Sequence, residues 1–290
     1  MVKGLSVVIP ASVISDTPHL REKTAKVGTI ARASSIFGVD EIILYPDDRK
    51  GDQEADMNFC SEMLRYIETP QYLRKRIFKL SPTFRFTGIL PPLQAPHHNV
   101  PHSISDVKIG DRREGVVVSR SGQNIIVDAG LEQTVLAAGT NRPGERVTLR
   151  LTSVGRNLRA EIESSTTSRP QRSGASTYWG YKVSRTPSLG KVLQERHSDL
   201  KIGTSRYGSQ VMEIWPSLMA GLKTAAGVLV AFGSPKLGLR EILHQEKLDP
   251  AHVFDYFVNA IPGQQTTTVR TEEAILVSLG ILNLAQRLPA

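Results

Sequence analysis

Apolar residues in this chain follow two rhythms. The first is set at the N-terminus, where residues 5–13 (LSVVIPASV) are small and β-branched, the composition of a strand buried on both faces. Asp16-Thr17-Pro18 then supplies a capping residue and a proline in a first turn, predicting a helix from about Pro18 to Phe37. Val27, Ile30, Ala31, Ser34 and Ile36 give that helix a patchy apolar face, and Gly38 stands as a C-cap candidate. Glu41–Tyr45 (EIILY) reads as a second buried strand, with a second helix over about Gln53 to Ile67. This order predicts a mostly parallel α/β sheet with covering helices.

The second rhythm begins after about Ser81. A stretch rich in proline and histidine (FTGILPPLQAPHHNVPHS) reads as a linker, and His97, His98 and His102 within it read as solvent-exposed rather than as metal ligands. From about Asp106 to Glu163, short strands (REGVVVSR, NIIVDAG, TVLAAG, RVTLRLTS, RAEIES) alternate with turns, predicting a small β-barrel like the oligonucleotide-binding fold. Residues 164–177 (SSTTSRPQRSGAST) read as a flexible linker. The α/β rhythm then returns: a strand-like YWGYKVSR, a helix from about Ser188, LKIGTSRYG as a strand ending in a turn, a short helix around Trp215–Lys223, and AAGVLVAFGSPKLGL. One α/β domain interrupted by a barrel accounts for the whole order, with parts at 1–90, 91–168 and 169–290.

Composition narrows the function. The 290 residues carry a formal net charge of +8, which favours a polyanionic partner, most simply nucleic acid. Arg112, Arg113, Arg120, Arg142, Arg146, Arg150, Arg156 and Arg159 fall in the barrel segment, but that segment lacks aromatic residues for stacking bases. Backbone or shape recognition of RNA therefore fits better than base-by-base reading, with a packing or dimer module as the alternative. Cys60 is the only cysteine, which excludes intrachain disulfides and cysteine metal clusters and makes the cytoplasm the expected compartment. No apolar run approaches the roughly 20 residues of a membrane span, and the run at Leu5–Pro10 is too short for a signal sequence.

No phosphate-binding glycine loop, dinucleotide fingerprint, zinc-protease motif or nucleophile elbow is present. Three loops after apolar strands remain: GTSRYG (203–208), FGSPKLG (232–238) and NAIPGQQTTT (259–268). In a parallel sheet such loops gather on one edge, where ligands bind. In the last of them, small and hydroxyl-bearing residues lead to Glu272 and Glu273 at the start of an apolar helix.

Taken together, GTIARASSIFGVDEIILY (28–45), VAFGSPKLGL (230–239) and NAIPGQQTTTVRTEEAILVSLGILN (259–283) resemble the SPOUT superfamily of RNA methyltransferases, in the archaeal and eukaryotic branch with an inserted oligonucleotide-binding-type barrel. The resemblance covers almost the whole chain. It implies a deep C-terminal trefoil knot holding S-adenosylmethionine, a homodimer whose interface completes the site, and N3-methylation of a uridine in ribosomal RNA. A ribose 2′-hydroxyl target and a non-catalytic ribosome-assembly role are the alternatives. It implies neither metal nor membrane.

Position by position, the resemblance places Gly203, Thr204 and Ser205 in the first cofactor loop. It places Phe232, Gly233 and Gly238 in the second, and Asn259, Ile261, Pro262, Gln264 and Thr268 in the third, around adenine. For Phe232, Ile261 and Pro262, core packing or turn rigidity is an equal reading. Gln265 stands where relatives often carry glycine. Arg32 is the expected catalytic or substrate-orienting residue, with a surface pairing to Asp40 or Glu41 as the alternative. Arg270 is expected at RNA phosphate or the cofactor carboxylate, and Arg112, Arg113, Arg120 and Arg150 at RNA. An acidic residue in a first helical turn also serves the helix dipole, so Glu272 and Glu273 divide between capping and chemistry. Arginine stays protonated and cannot itself be the base.

Overall fold

The computed structural model describes residues 4–48, 51–163 and 178–288. In chain order its elements are β1 (Leu5–Pro10), α1 (Leu20–Ile36), β2 (Glu41–Tyr45), α2 (Glu54–Glu68) and α3 (Gln71–Ile77). Next come β3 (Arg112–Ser121), β4 (Asn124–Asp128), β5 (Val135–Ala138), β6 (Arg146–Ser153) and β7 (Arg159–Glu163). Then follow β8 (Lys182–Arg185), α4 (Leu189–Glu195), β9 (Asp199–Gln210), α5 (Trp215–Thr224), β10 (Gly227–Ala231), α6 (Leu239–Gln245), α7 (Pro250–Val253), β11 (Tyr256–Asn259) and α8 (Thr271–Arg287). The 164–177 segment, read from sequence as a linker, lies outside the described residues.

These elements form two compact units. One takes Met1–Ile67, Thr83–Pro91 and Tyr181–Ala290; the other takes Glu68–Pro82 and Pro92–Gly180. The first is built on a six-stranded sheet in the order β11-β9-β10-β1-β2-β8, with every pair parallel. β1 is shorter than its apolar run predicts: it stops at Pro10, which lacks the N–H to extend the ladder, and Ala11–Ile14 turn into a buried 3-10 helix. On one face Val8, Ile43, Leu229 and Ala231 pack with Leu189 and Val192 of α4 and Leu239 and Ile242 of α6. Val7, Ile9, Ile42, Leu44, Val228 and Val230 point the opposite way and are buried too, so both faces are covered. Cys60 is part of this core, and burial pushes its thiol up to about 12.

The second unit is a closed barrel, β3-β4-β5-β7-β6, with β5 and β7 parallel and the other pairs antiparallel. Ile125, Val127, Val135, Ala137, Leu149 and Leu151 fill its interior. α3 packs on β3, and Tyr72 donates from its hydroxyl to the Glu114 carbonyl (3.1 Å). Gly130 makes that packing possible: it sits at φ 70°, and a Cβ there would lie 2.2 Å from the Tyr72 ring.

Of the three histidines expected to be solvent-exposed, His102 is, but His97 and His98 turn inward. His97 is fully buried, and its Nε2 donates to the Glu68 carbonyl (2.9 Å) beside the Glu68 carboxylate (3.1 Å). His98 Nε2 donates to the same carbonyl (2.7 Å). Arg146 of β6 bridges two buried carboxylates, reaching Glu68 (2.5 and 3.0 Å) and Glu114 (2.6 Å), and Glu114 also accepts from Trp179 Nε1 (2.7 Å). His97 and His98 lie in a turn after Pro96, closed by the His98 and Asn99 amides donating to the Ala95 carbonyl (2.8 and 3.3 Å). Gly180 closes the cluster: a Cβ there would meet both Glu68 and the His97 ring.

Burial by itself would raise the Glu68 carboxyl, but Arg146 and His97 outweigh it and hold it at about 2. Its contribution to stability is therefore complete above its ordinary value of 4.5 and lost as pH falls towards 2. His98 is pushed down to about 4 by its own burial and by His97, so the fold favours its neutral form and loses stability as pH falls from 6.5 through 4. The melting temperature of the full chain is expected to fall from pH 7 to pH 3 across both windows, with His98→Asn flattening the upper one. Glu68→Gln leaves Arg146 with Glu114 alone and weakens the buried contact to His97, and is expected to cost about 1–3 kcal/mol in urea unfolding at pH 7.

Candidate functional site

Six parallel strands bring their C-terminal ends to a single edge, and β9, β10 and β11, which precede the three sequence-selected loops, are neighbours there. The sequence predicts that β9 ends at GTSRYG. It runs on instead to Gln210, and what changes is its pairing: Gly203 sits opposite Phe257, whereas the next residue of β11, Val258, sits opposite Ser209. Residues 204–208 are thus pushed out of the ladder as a large bulge at the sheet edge. Gly208 lets the strand rejoin, since a Cβ there would lie 2.5 Å from the Phe257 carbonyl oxygen.

The bulge is held from three sides. Thr204 Oγ1 donates to the Ala231 carbonyl at the end of β10 (2.9 Å). Asn259, the last residue of β11, donates from Nδ2 to the Arg206 carbonyl (3.0 Å) and accepts at Oδ1 from the Ile261 amide (3.0 Å). Arg206 in turn donates from Nη1 to the Thr267 carbonyl (2.7 Å), tying the bulge to the third loop. Ser205 Oγ accepts from the Tyr207 amide (3.2 Å).

Phe232, expected to line the cofactor site, is 1% exposed and packs in the core. Its carbonyl accepts from the buried Tyr45 hydroxyl (2.7 Å), so its part in a ligand site is confined to where its backbone leads. The next carbonyl, of Gly233, accepts from Thr271 Oγ1 at the start of α8 (3.2 Å). Ser234 and Leu237 close a turn by reciprocal bonds, and Gly238 is the exposed N-cap of α6.

In the third loop, Ile261 and Gln264 are half-buried, while Pro262 and Thr268 are exposed. Gln264 Nε2 donates to the Thr266 carbonyl (2.9 Å). Gln265 Nε2 donates to the Gly263 carbonyl (2.9 Å), so its long side chain braces its own loop. Among the described residues, no hydrogen bond engages the amides of Gln265, Thr266, Thr267 and Thr268. The carbonyls of Gly263, Thr266 and Thr267 in the same loop accept from Gln265, Gln264 and Arg206 side chains.

The acidic pair at the head of α8 divides. Glu273 is the cap, accepting from the Arg270 amide (2.9 Å). Glu272 turns inward, 8% exposed, to Lys26 of α1 (3.4 Å), and Lys26 also binds Asp16 at 2.6 Å. Burial alone would raise the Asp16 carboxyl, but Lys26 holds it below the usual range. Lys26 escaped the sequence reading, because a lysine inside an apolar helical face is ordinarily a solvated stem. Asp16, expected to cap α1, pairs with it instead, and α1 begins at Leu20 with His19 at its N-cap and no side-chain cap bond. Arg32 is half-buried further along α1, and α1 packs on α8.

The arginines expected at RNA are dispersed. Arg113 is withdrawn from that set: it is fully buried and donates to the carbonyls of Ala129 (2.8 Å) and Pro101 (2.5 Å). Arg112 pairs with Glu163 (2.6 Å) and lies over the Trp179 ring at 4.5 Å. Arg150 pairs with the same Glu163, and Arg120 donates to the Gly122 and Thr140 carbonyls. Arg120 and Arg150 are exposed, as is Arg270 on the sheet unit. Trp179 and Tyr72 bring aromatic rings to the barrel unit from chain segments outside its strands, which the barrel's own sequence could not reveal. Among the described residues no group of acidic, histidine or cysteine side chains could hold a metal, and no helix is long and apolar enough to cross a membrane.

Residues 4–282 match the family described as "Putative RNA methyltransferase". This chain belongs to that family. It is 34% identical over 301 residues to the human 28S rRNA (uridine-N(3))-methyltransferase, covering 96% of this chain and 77% of the human one. It is 30% identical over 303 residues to an uncharacterized protein of Halobacterium salinarum, covering 97% and 99%. The SpoU methyltransferase AviRb of Streptomyces viridochromogenes, solved with AdoMet, aligns over 99% of this chain and 59% of its own, at 10% identity and a TM-score of 0.38, too loose a fit to carry an argument.

Removing Lys26 leaves the buried Glu272 without its cation and the exposed Asp16 without its ion-pair partner. Lys26→Met is expected to cost about 3 kcal/mol in urea unfolding, and Lys26→Met/Glu272→Leu to recover part of that loss.

Proposed function

We propose that this chain is an S-adenosylmethionine-dependent RNA methyltransferase whose target is N3 of a uridine in ribosomal RNA. The observation that carries the reading is the convergence of the β9 bulge and the loops after β10 and β11, pinned together by Asn259 and Arg206, in a member of an RNA methyltransferase family. The human relative's name supports the ribosomal uridine and its N3 atom. Gly203, Thr204 and Ser205, the backbone of Gly233 to Gly238, and the loop from Asn259 to Thr268 would hold the cofactor. When bound, S-adenosylmethionine supplies an electrophilic methyl carbon on a sulfonium.

The chain's own task is alignment and charge. Holding two reactants in line supplies several kcal/mol of such a barrier. Arg32, a permanent cation on the helix that packs on α8, is proposed to stabilise the charge that spreads to the uracil oxygens as N3 loses its proton. The Gly233–Thr271 bond ties the second loop to the head of α8, and the C-terminal segment is proposed to be threaded as a knot.

The barrel has the five-strand order of an oligonucleotide-binding fold, with its third and fifth strands parallel. Its exposed Arg120 and Arg150, with Arg112 on Trp179 and Arg270 on the sheet unit, are proposed to contact RNA phosphate, in keeping with the net charge of +8. A second copy of the chain is proposed to cover an apolar stripe: Ile36 on α1 and Leu276, Val277 and Leu284 on α8 are 37–56% exposed.

The deciding experiment incubates the purified chain with labelled cofactor and ribosomal RNA, then analyses the digested nucleosides by mass spectrometry. N3-methyluridine is expected; a ribose-methylated nucleoside would move the target atom, and no binding of cofactor at millimolar concentration in calorimetry would end the reading. Asn259→Ala releases both the bulge and Ile261, and is expected to weaken cofactor binding about tenfold with little change in melting temperature.

A further inference from the structure

The bulge in β9 raises one side chain that the cofactor site does not use. Tyr207 is 65% exposed although it sits beside the most tightly pinned loops of the sheet unit. Among the large hydrophobic residues that are exposed in the described structure, it is the sole aromatic. Exposed aromatic rings held on a rigid backbone contribute little to folding, and they serve most often to bind.

The rigidity at Tyr207 is built in. Its amide donates to Ser205 Oγ (3.2 Å), and the carbonyl just before it, that of Arg206, is held by Asn259 Nδ2 (3.0 Å). The Arg206 guanidinium covers the ring at 4.7 Å and donates from Nη2 to its hydroxyl (2.6 Å), while Nη1 is fixed on the Thr267 carbonyl. Arginine, tyrosine and loop therefore form one braced assembly, in which Arg206 lies over one side of the ring while the residue as a whole stays 65% exposed. Gly208, immediately after, lies close against the Phe257 carbonyl where the strand rejoins β11 at Ser209, so the ring belongs to the last part of the excursion. A ring with a π-face open to solvent and a cation beside it suits a flat, electron-rich heterocycle carried on a phosphate backbone.

We propose that Tyr207 is the platform on which a base of the RNA substrate stacks at the mouth of the cofactor site, with Arg206 as the residue that positions it. This rests on the reading of the chain as an RNA methyltransferase. A target nitrogen on the pairing edge of uracil is inaccessible in a duplex, so the enzyme must take its base, or a neighbour of it, in unpaired form.

The test uses the full chain with a ribosomal RNA transcript. One stacking contact predicts that Tyr207→Ala raises the KM for RNA, and the Kd for RNA in fluorescence anisotropy, about tenfold or more, while calorimetric affinity for S-adenosylmethionine is unchanged. Tyr207→Phe and Tyr207→Trp are expected to stay within about threefold of the wild type, because stacking needs the ring and not the hydroxyl. An unchanged KM and Kd for RNA in Tyr207→Ala would overturn the proposal. So would an equal loss of cofactor affinity, which would make the ring a brace for the third loop. Wild-type protein that methylates no RNA but loses RNA affinity in Tyr207→Ala would refute the enzymatic reading and leave the platform standing. Wild-type protein that binds no RNA would overturn both.

Discussion

The constraint from which everything else follows is that all six strands of the sheet run the same way. Parallel neighbours cannot be joined by a tight turn, so each connection must cross a face of the sheet and return to the starting edge. This buries both faces and leaves the C-terminal edge as the one place where backbone can stay exposed without breaking the ladder. Loops of small residues are tolerated there, and from the bulge in β9 to the head of α8 they are tied to one another more than to the core. Asn259 shows the economy of the arrangement. A single amide accepts on one side and donates on the other, and so links two loops that are far apart in sequence.

Charge is used in two distinct ways. At the surface it is diffuse, and the net positive balance sets which partners approach. Inside, it is concentrated at two junctions. Lys26 lies between Asp16 and Glu272, and Arg146 lies between Glu68 and Glu114. Each joins pieces of chain remote in sequence, where apolar packing would be equally stable but less selective about register. The first junction fixes the helix that carries Arg32 against the helix that closes the third loop.

Much of this was legible in the sequence because it depends on local pattern. The β-branched runs of β1, β2 and β10 and the turns between barrel strands announce themselves through spacing, whereas the cap expected at Asp16 does not form, since α1 starts at Leu20 behind His19 and Asp16 pairs with Lys26. The three loops were legible as a set, since small residues after an apolar strand have few other uses. What stayed hidden depends on pairing at a distance. Nothing in GTSRYG itself says that β11 will skip from Gly203 to Ser209, so the bulge reads as a turn. His97 and Arg113 look like surface residues until Glu68 and the Ala129 carbonyl are brought to them by the fold. Likewise, the head of α8 offers two glutamates whose roles separate only once Lys26 is in place.

The cluster around Gly180 has a further consequence. Glu68 and Gly180 are the first and last residues of the barrel unit, and they touch. A module whose two ends are clasped together imposes almost no closure entropy on its host, whatever the length of chain between them. Apart from the short return at Thr83–Pro91, the sheet unit is insulated from the size and shape of what is spliced in. The barrel is therefore the exchangeable part of this chain. Evolution or an engineer could swap it for another module while the sheet kept its strand order, provided the clasp residues Glu68, His97, Arg146 and Gly180 keep the two ends of the insert together.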